Sequence, residues 1–334
     1  MKVATMSPLL GRRAFAVGAL ALGAAGCGRR GHHDGFAVGY LNNVTHAQAL
    51  VGATSGRWKA ALGQATTFTA FPAGPAVMEA LSAGSIDAGF LGASAVVNAF
   101  VRSRGRKLRV LAGGASGGAS LVVRAGLTVR RPHDLRGRTV TASLIGSMPD
   151  VSMRTWLRNG GVRAVDAGGD VRVVPMPNTE AYELLRRGKI DASWAQEPWA
   201  SRMVAAGATR ALDERELWDE GRFPSVVLAV ATSALERDGG ARAAQLVALL
   251  ADETRRLSDA GDAGRDEVTA ALKRALGKAP AAPVMADAWS RFSLTDDPLA
   301  SAIGRVASDM RALGYLPTGG IDGLVTRARK DRDA

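Results

Sequence analysis

The sequence predicts an α/β protein made of two similar lobes, and three observations carry this. Short apolar runs of strand length alternate with helix-length stretches from residue 36 to about residue 231, which argues for mainly parallel sheets. The pattern L-x-x-G-x-I-D-A occurs twice, at Leu81–Ala88 (LSAGSIDA) and Leu185–Ala192 (LRRGKIDA), 104 residues apart. Beyond residue 35 the chain keeps roughly 300 residues, enough for two separate cores.

The chain opens with an export signal. Lys2, Arg12 and Arg13 precede the apolar run Ala14–Ala25, which is too short to span a bilayer. Arg12-Arg13-Ala14-Phe15 carries the paired arginines of a twin-arginine signal. Ala24-Ala25-Gly26 then leads into Cys27, the single cysteine, in a run that resembles a lipobox with Ala24 where leucine is usual. Residues 1–27 are therefore expected to be a lipoprotein signal ending at a lipidated Cys27. The alternative is ordinary cleavage nearby, with Cys27 left as a thiol. One cysteine excludes an intramolecular disulfide framework.

Residues 28–35 (GRRGHHDG) form a polar tether. Its adjacent His32 and His33 have no acids at ligand spacing, so no metal is expected. The net charge of +12 contains three basic side chains and no acids from residues 1–26. The mature chain stays basic, but no basic helix interleaved with aromatics marks a nucleic-acid partner. The charge reads as a solvated surface, with anionic lipid or substrate as its possible use.

The elements follow in order. Strands are expected at Phe36–Leu41, Thr67–Phe71, Ile86–Leu91, Leu108–Gly113, Ser120–Arg124, Thr139–Ala142, Val171–Pro175, Ile190–Trp194 and Ser225–Ala231. Between them fall helices up to Leu62, at Gly74–Leu81, Ala95–Arg102, Asp150–Asn159 and Thr179–Arg187, and from Pro198 onward. From Leu235 the chain is mostly amphipathic helix, broken near Gly261, Ala279–Pro283 and Asp296–Pro298.

In each copy of the repeat a helix ends at a glycine, the usual left-handed cap, and a strand starts at Ile-Asp-Ala. The repeat is either a chance recurrence of a common junction or two lobes presenting strand-to-helix turns to a shared cleft. In the second copy that turn is Gln196-Glu197-Pro198. In open α/β sheets, ligands bind where strands end and helices begin.

Spaced runs carry a family resemblance: Gly39-Tyr40-Leu41 with Thr45-His46-Ala47, Gly74–Leu81 (GPAVMEAL), Ile86-Asp87-Ala88, Ala115–Val123 (ASGGASLVV), Asp134-Leu135-Arg136-Gly137, Arg154-Thr155-Trp156-Leu157, Val174-Pro175-Met176-Pro177 and Glu197-Pro198-Trp199-Ala200. From about Val38 to Ala231 the chain resembles the solute-binding proteins of ABC importers for nitrate, taurine and aliphatic sulfonates. The resemblance implies a type II periplasmic-binding-protein fold, two α/β lobes joined by two crossing hinge strands. Lobe one would be 36–123 plus 225–334 and lobe two 124–224, with hinges near Leu121–Arg124 and Ser225–Ala229. It further implies an exported, monomeric protein that takes a small anionic ligand to a membrane permease with its ATPase, anchored through Cys27, without a cofactor.

A sulfonate or nitrate needs donors for three oxygens. Helix N-termini and Gly/Ser turns supply backbone N–H groups without burying a cation. On the resemblance, the expected ligand-binding residues are Thr45, His46, Ser94, Ser116, Gly117, Ser143, Ser147, Glu197 and Trp199, and the turn at 143–149 adds Met148 on its chemistry. A thioether at Met148 would favour an organic tail over bare nitrate; otherwise it packs within lobe two. Glu197 either faces the cleft, where it would suit the amine of taurine, or pairs with Arg202. Asp150 either faces the cleft or stabilises the first turn of its helix. Trp156 and Trp194 read chiefly as core, and His46 doubles as a candidate helix-start residue.

An enzyme is the rival class, since a fold alone does not exclude chemistry. A nucleophile needs a neighbouring base, yet the cysteine lies at the processing site and only His46 among the histidines is placed to act. No Walker-type phosphate cradle occurs. The sequence is therefore read as a binding protein that catalyses nothing.

Overall fold

The computed structural model describes residues 35–326. The export signal, Cys27 and tether residues 28–34 lie outside the described residues. The strands are β1 (Ala37–Leu41), β2 (Thr67–Phe71), β3 (Ala88–Leu91), β4 (Leu108–Gly117), β5 (Ala119–Val123), β6 (Thr139–Ala142), β7 (Arg172–Pro175), β8 (Ala192–Gln196), β9 (Thr209–Asp213), β10 (Pro224–Ala231) and β11 (Phe292–Leu294). The helices are α1 (Ala47–Thr54), α2 (Arg57–Leu62), α3 (Gly74–Ala83), α4 (Ala93–Arg102), α5 (Met148–Asn159), α6 (Asn178–Arg186), α7 (Trp199–Ala205), α8 (Thr232–Arg237), α9 (Ala241–Asp259), α10 (Asp262–Leu276), α11 (Ala282–Trp289) and α12 (Ala300–Ala312).

The strands form two sheets, ordered β11-β4-β10-β3-β1-β2 and β7-β6-β8-β5-β9. Setting β11 aside, the two have one plan. Three parallel strands (β2-β1-β3 and β7-β6-β8) are followed by one antiparallel strand, β10 or β5, and an edge strand beyond it. The antiparallel strand is in each case the one that arrives from the other lobe. Buried runs such as VVLAVA in β10 suit a strand covered on both faces.

The repeated motif has one job in both lobes. Asp87 Oδ2 accepts the Ala37 N–H of β1 at 2.9 Å, and Asp191 Oδ2 accepts the Thr139 N–H of β6 at 3.0 Å. Each carboxylate also holds an arginine, Arg237 at 2.7 Å for Asp87 and Arg124 at 3.1 Å for Asp191. The glycines before them, Gly84 and Gly188, have φ of 76° and 65°, the left-handed conformation that makes glycine the cap. The motif is thus a paired structural pin, with its aspartates at the strand ends away from the ligand turns.

The crossing lies earlier than expected. Residues 119–123 pair antiparallel with β8 and β9 and so belong to lobe two, which moves the boundary from 123/124 to Gly117-Gly118. Those two glycines take φ of 89° and 80°, and a Cβ on Gly117 would stand 2.8 Å from Arg291 O. Gly117 N–H donates to Phe223 O at 3.0 Å, tying the outward crossing to the return into β10.

Two strands escape sequence reading. β9 is a half-exposed edge strand of mixed composition, and β11 has three residues. The first helical stretch also breaks at Gly56 (φ 76°) into α1 and α2. The lobe-one core gathers Val38, Leu50, Trp58, Phe90 and Leu228, and lobe two gathers Leu121, Val140, Leu157 and Trp194, all essentially inaccessible. Each such side chain contributes roughly 1.5–3 kcal/mol. α9 and α10 cover lobe one, while α11 packs on α7 and α12 lies across both α4 and α5. Among the described residues, no helix is long and apolar enough to cross a membrane.

Candidate functional site

The two sheets point the carboxyl ends of their parallel strands at one cleft of about 1290 Å³. Each of the six parallel strands is followed there by a helix start. In lobe one these are the 3-10 turn Val44–His46 that runs into α1, then α3 and α4; in lobe two they are α5, α6 and α7. They form equivalent pairs, after β1 and β6, β2 and β7, β3 and β8. A helix start carries unpaired N–H groups and roughly half a positive charge, so the cleft concentrates donors. The charged side chains among its described lining, Glu79 and Arg102, are exposed.

Seven of the expected residues line this cleft: Thr45, His46, Ser94, Ser143, Ser147, Met148 and Trp199. Thr45 is fixed by its N–H donating to Asn43 Oδ1 at 3.3 Å. His46 Nδ1 accepts the Leu41 N–H at 3.4 Å, which places the ring proton on Nε2. Burial pushes the His46 pKa down to about 3, so the ring is a neutral donor. Ser143 and Ser147 hydroxyls lie 3.3 Å apart, and Ser147 Oγ donates to Leu144 O at 2.6 Å. Trp199 stacks under the Arg202 guanidinium at 4.5 Å.

Met148 reaches across the cleft, its Sδ accepting the Ser94 N–H at 3.3 Å. The first residue of α5 in lobe two is thereby joined to the first turn of α4 in lobe one. Met148 is itself buried, so its two expected roles merge: it packs between the lobes while facing the cleft.

Three expected residues stand elsewhere. β4 runs on through Ser116 and Gly117, which pair with β10 and β11, and Gly118 N–H donates to Arg291 O. Their backbone groups are thus engaged in the ladder and its continuation, and offer no anion turn. Glu197 is fully buried, with Oε2 accepting the Ser201 N–H at 3.0 Å and Oε1 taking Arg210 Nη1 at 3.0 Å. Burial raises its pKa and Arg210 opposes the shift. Its arginine is therefore Arg210 rather than Arg202. Asp150 is also structural, held by Arg154 Nε at 2.8 Å, Gly146 N–H at 2.9 Å and Tyr315 Oη at 2.7 Å.

Sequence reading missed several walls of the cleft. Asn178 and Thr179 open α6; they could have been found as the lobe-two counterpart of Gly74-Pro75, in an Asn-Thr start after a strand. Phe71, Met78, Leu144 and Ile145 make the lining largely apolar, and the last two are 45% and 64% exposed. Lone apolar residues in loops carry no sequence signal of this.

Residues 32–273 match the NMT1-like family over most of the chain. The chain belongs to the NMT1-like family. No curated protein matches this NMT1-like protein by sequence. Its fold is that of the periplasmic aliphatic sulphonate binding protein SsuA from Escherichia coli, at 20% identity and TM-score 0.71, over 90% of this chain and 94% of that one. The nitrate-binding protein NrtA from Synechocystis PCC 6803 is similar at 16% identity and TM-score 0.69, over 84% and 82%. The desulfurization enzyme DszB shares the fold at 16% identity and TM-score 0.58, over 84% and 93%. These likenesses establish the two-lobed binding-protein fold.

Proposed function

We propose that this NMT1-like protein is the extracytoplasmic solute-binding component of an ABC importer, and that it captures a small organic anion of the sulfonate type between its lobes. The observation that carries this is the convergence of six helix starts, in three equivalent pairs, on a cleft with no full charge at its floor. Such a site binds an anion through neutral donors, among them Thr45, His46, Ser94 and Ser143. The apolar walls at Phe71, Met78, Leu144, Ile145 and Met148 suit an alkyl or aryl tail better than bare nitrate. With Glu197 and Asp150 both engaged in structure, neither meets the ammonium of taurine, so an alkanesulfonate is the favoured ligand. Nitrate or another small ligand is the second reading.

In this reading a twin-arginine signal exports the chain, Cys27 carries a lipid, and the liganded monomer docks on a permease driven by a separate ATPase. The protein turns over nothing. Closure rotates the lobes about the crossings at Gly117-Gly118 and Phe223-Pro224.

A thermal-shift panel on the exported protein with butanesulfonate, taurine, an alkyl sulfate, nitrate and a pyrimidine tests this, because a ligand of the folded state raises the melting temperature. The expected order is butanesulfonate above taurine, with no response to nitrate. A response to nitrate alone, or to no anion, would remove the sulfonate reading. Hydrolysis of an ester or C–S substrate that is lost in His46→Ala would instead make the protein an enzyme.

A further inference from the structure

Behind Met148 lies a second chamber of about 200 Å³, walled by α5, α12 and the turn Glu214–Leu217. Its described lining includes Ser152, Thr155, Trp156, Glu214, Trp218 and Arg305. Met148 lines both spaces, and its side chain stands between the chamber and the cleft. The innermost groups are polar and more than nine-tenths buried, yet Glu214 Oε1, Ser152 Oγ and Thr155 Oγ1 make no hydrogen bond of good geometry among the described residues. The other carboxylate oxygen, Oε2, accepts the Trp194 indole N–H at 2.8 Å.

The Ser152 hydroxyl and the Trp218 indole face the Glu214 carboxyl as donors, yet neutral donors alone leave a buried carboxylate without a counter-charge, which is costly. Asp309 on the chamber wall is answered by Arg158 at 3.4 Å and Arg305 at 3.8 Å. Arg305 further donates to Leu217 O at 2.7 Å and lies 4.2 Å over the Trp218 ring. Among the described residues, no cation pairs with Glu214. Burial pushes its carboxyl up to about 7; Ser152, Trp194 and Trp218 face it and oppose the shift only in part.

We propose that this chamber is a second binding site, independent of the anion cleft, for a small organic ammonium ion with Glu214 as its counter-ion. An ammonium carries three N–H donors, matching Glu214 Oε1, Ser152 Oγ and Thr155 Oγ1. Its alkyl part lies against the apolar rings of Trp156 and Trp218 on the chamber wall. A cavity of roughly 150 Å³ holds benzene, so this chamber has room for an ion the size of ethyl- to butylammonium.

The test uses the full-length protein and ethylammonium chloride, with potassium chloride and ethanol as matched controls. The expected result is a saturable rise in melting temperature with ethylammonium only, and nuclear Overhauser contacts from its methylene to the indole protons of Trp156 or Trp218. Glu214→Gln should weaken the response by about tenfold or more, the scale of a lost charged hydrogen bond, and Ser152→Leu should abolish it by filling the chamber. An equal response to potassium or ethanol, or one that survives Ser152→Leu, overturns the proposal. If either variant fails to fold, the wild-type contacts decide: their absence at saturating ethylammonium overturns it as well.

Discussion

Arg210 Nη1 lies 3.0 Å from Glu197 Oε1, joining β9 to the turn before α7 with both groups nearly closed to water. Arg210 also reaches Asp287 Oδ2 at 2.7 Å and Ser201 Oγ at 3.3 Å, so one guanidinium ties lobe two to α11. Arg210→Ala leaves a buried carboxylate unpaired and should lose about 3–5 kcal/mol in urea denaturation. Glu197→Gln should leave sulfonate affinity unchanged. A tenfold weaker affinity in that variant, with stability retained, would return Glu197 to the cleft.

Glu214 and His46 should give the stability curve opposing slopes. A carboxyl raised from 4.5 to about 7 on folding binds more protons folded than unfolded across that window. Its contribution is therefore complete below 4.5 and is lost as pH rises through 7. His46, lowered from 6.5 to about 3, binds fewer protons folded, so its contribution is present above 6.5 and is lost as pH falls toward 3. Each slope approaches about 1.4 kcal/mol per pH unit. Between pH 4.5 and 6.5 the two effects offset each other in the wild type. Denaturation across that range should show stability falling with acid in Glu214→Gln and rising with acid in His46→Asn. An unchanged slope in either variant refutes that assignment.

Met148→Ala removes a buried side chain and opens the cleft to the chamber behind it. The expected loss is about 2–5 kcal/mol, measured by thermal unfolding. Met148→Leu keeps the volume but removes the acceptor of the Ser94 N–H, and should cost less than about 1.5 kcal/mol. A loss from Met148→Leu as large as from Met148→Ala would show that the sulfur contact, not packing, joins the lobes there.

Tyr315→Phe deletes the hydroxyl that donates to Asp150 at 2.7 Å from the segment after α12. Because α12 spans both lobes, the loss should reach the hinge motion as well as stability. A charged hydrogen bond of this kind contributes roughly 1.5–3 kcal/mol. Hydrogen exchange should quicken at the starts of α5 and α4 together; quickening confined to residues near 315 would make the contact purely local.

The alternation of strands and helices, the paired Ile-Asp-Ala motifs and the turns at Thr45, Ser94 and Ser147 were legible because each follows from local pattern. What escaped was set by distant partners. β9 reads as a mixed, half-exposed segment, yet it carries Arg210, the residue that decides the role of Glu197. Ser116 and Gly117 look like a flexible turn until β11, far along the chain, pairs with them and extends β4. Met148 showed its apolar character in sequence, but its bridge to Ser94 depends on how the lobes meet.

The hydrogen bond from Gly117 to Phe223 closes the neck through which the chain leaves lobe one and returns to it. β4 and β10 are antiparallel neighbours, so the whole of lobe two is strung between the two arms of what would otherwise be a plain hairpin. A chain that jumped from Gly117 to Pro224 through a short turn would keep the strand pairings of the first sheet. Lobe one is in that sense the host, and lobe two a graft spliced into its loop.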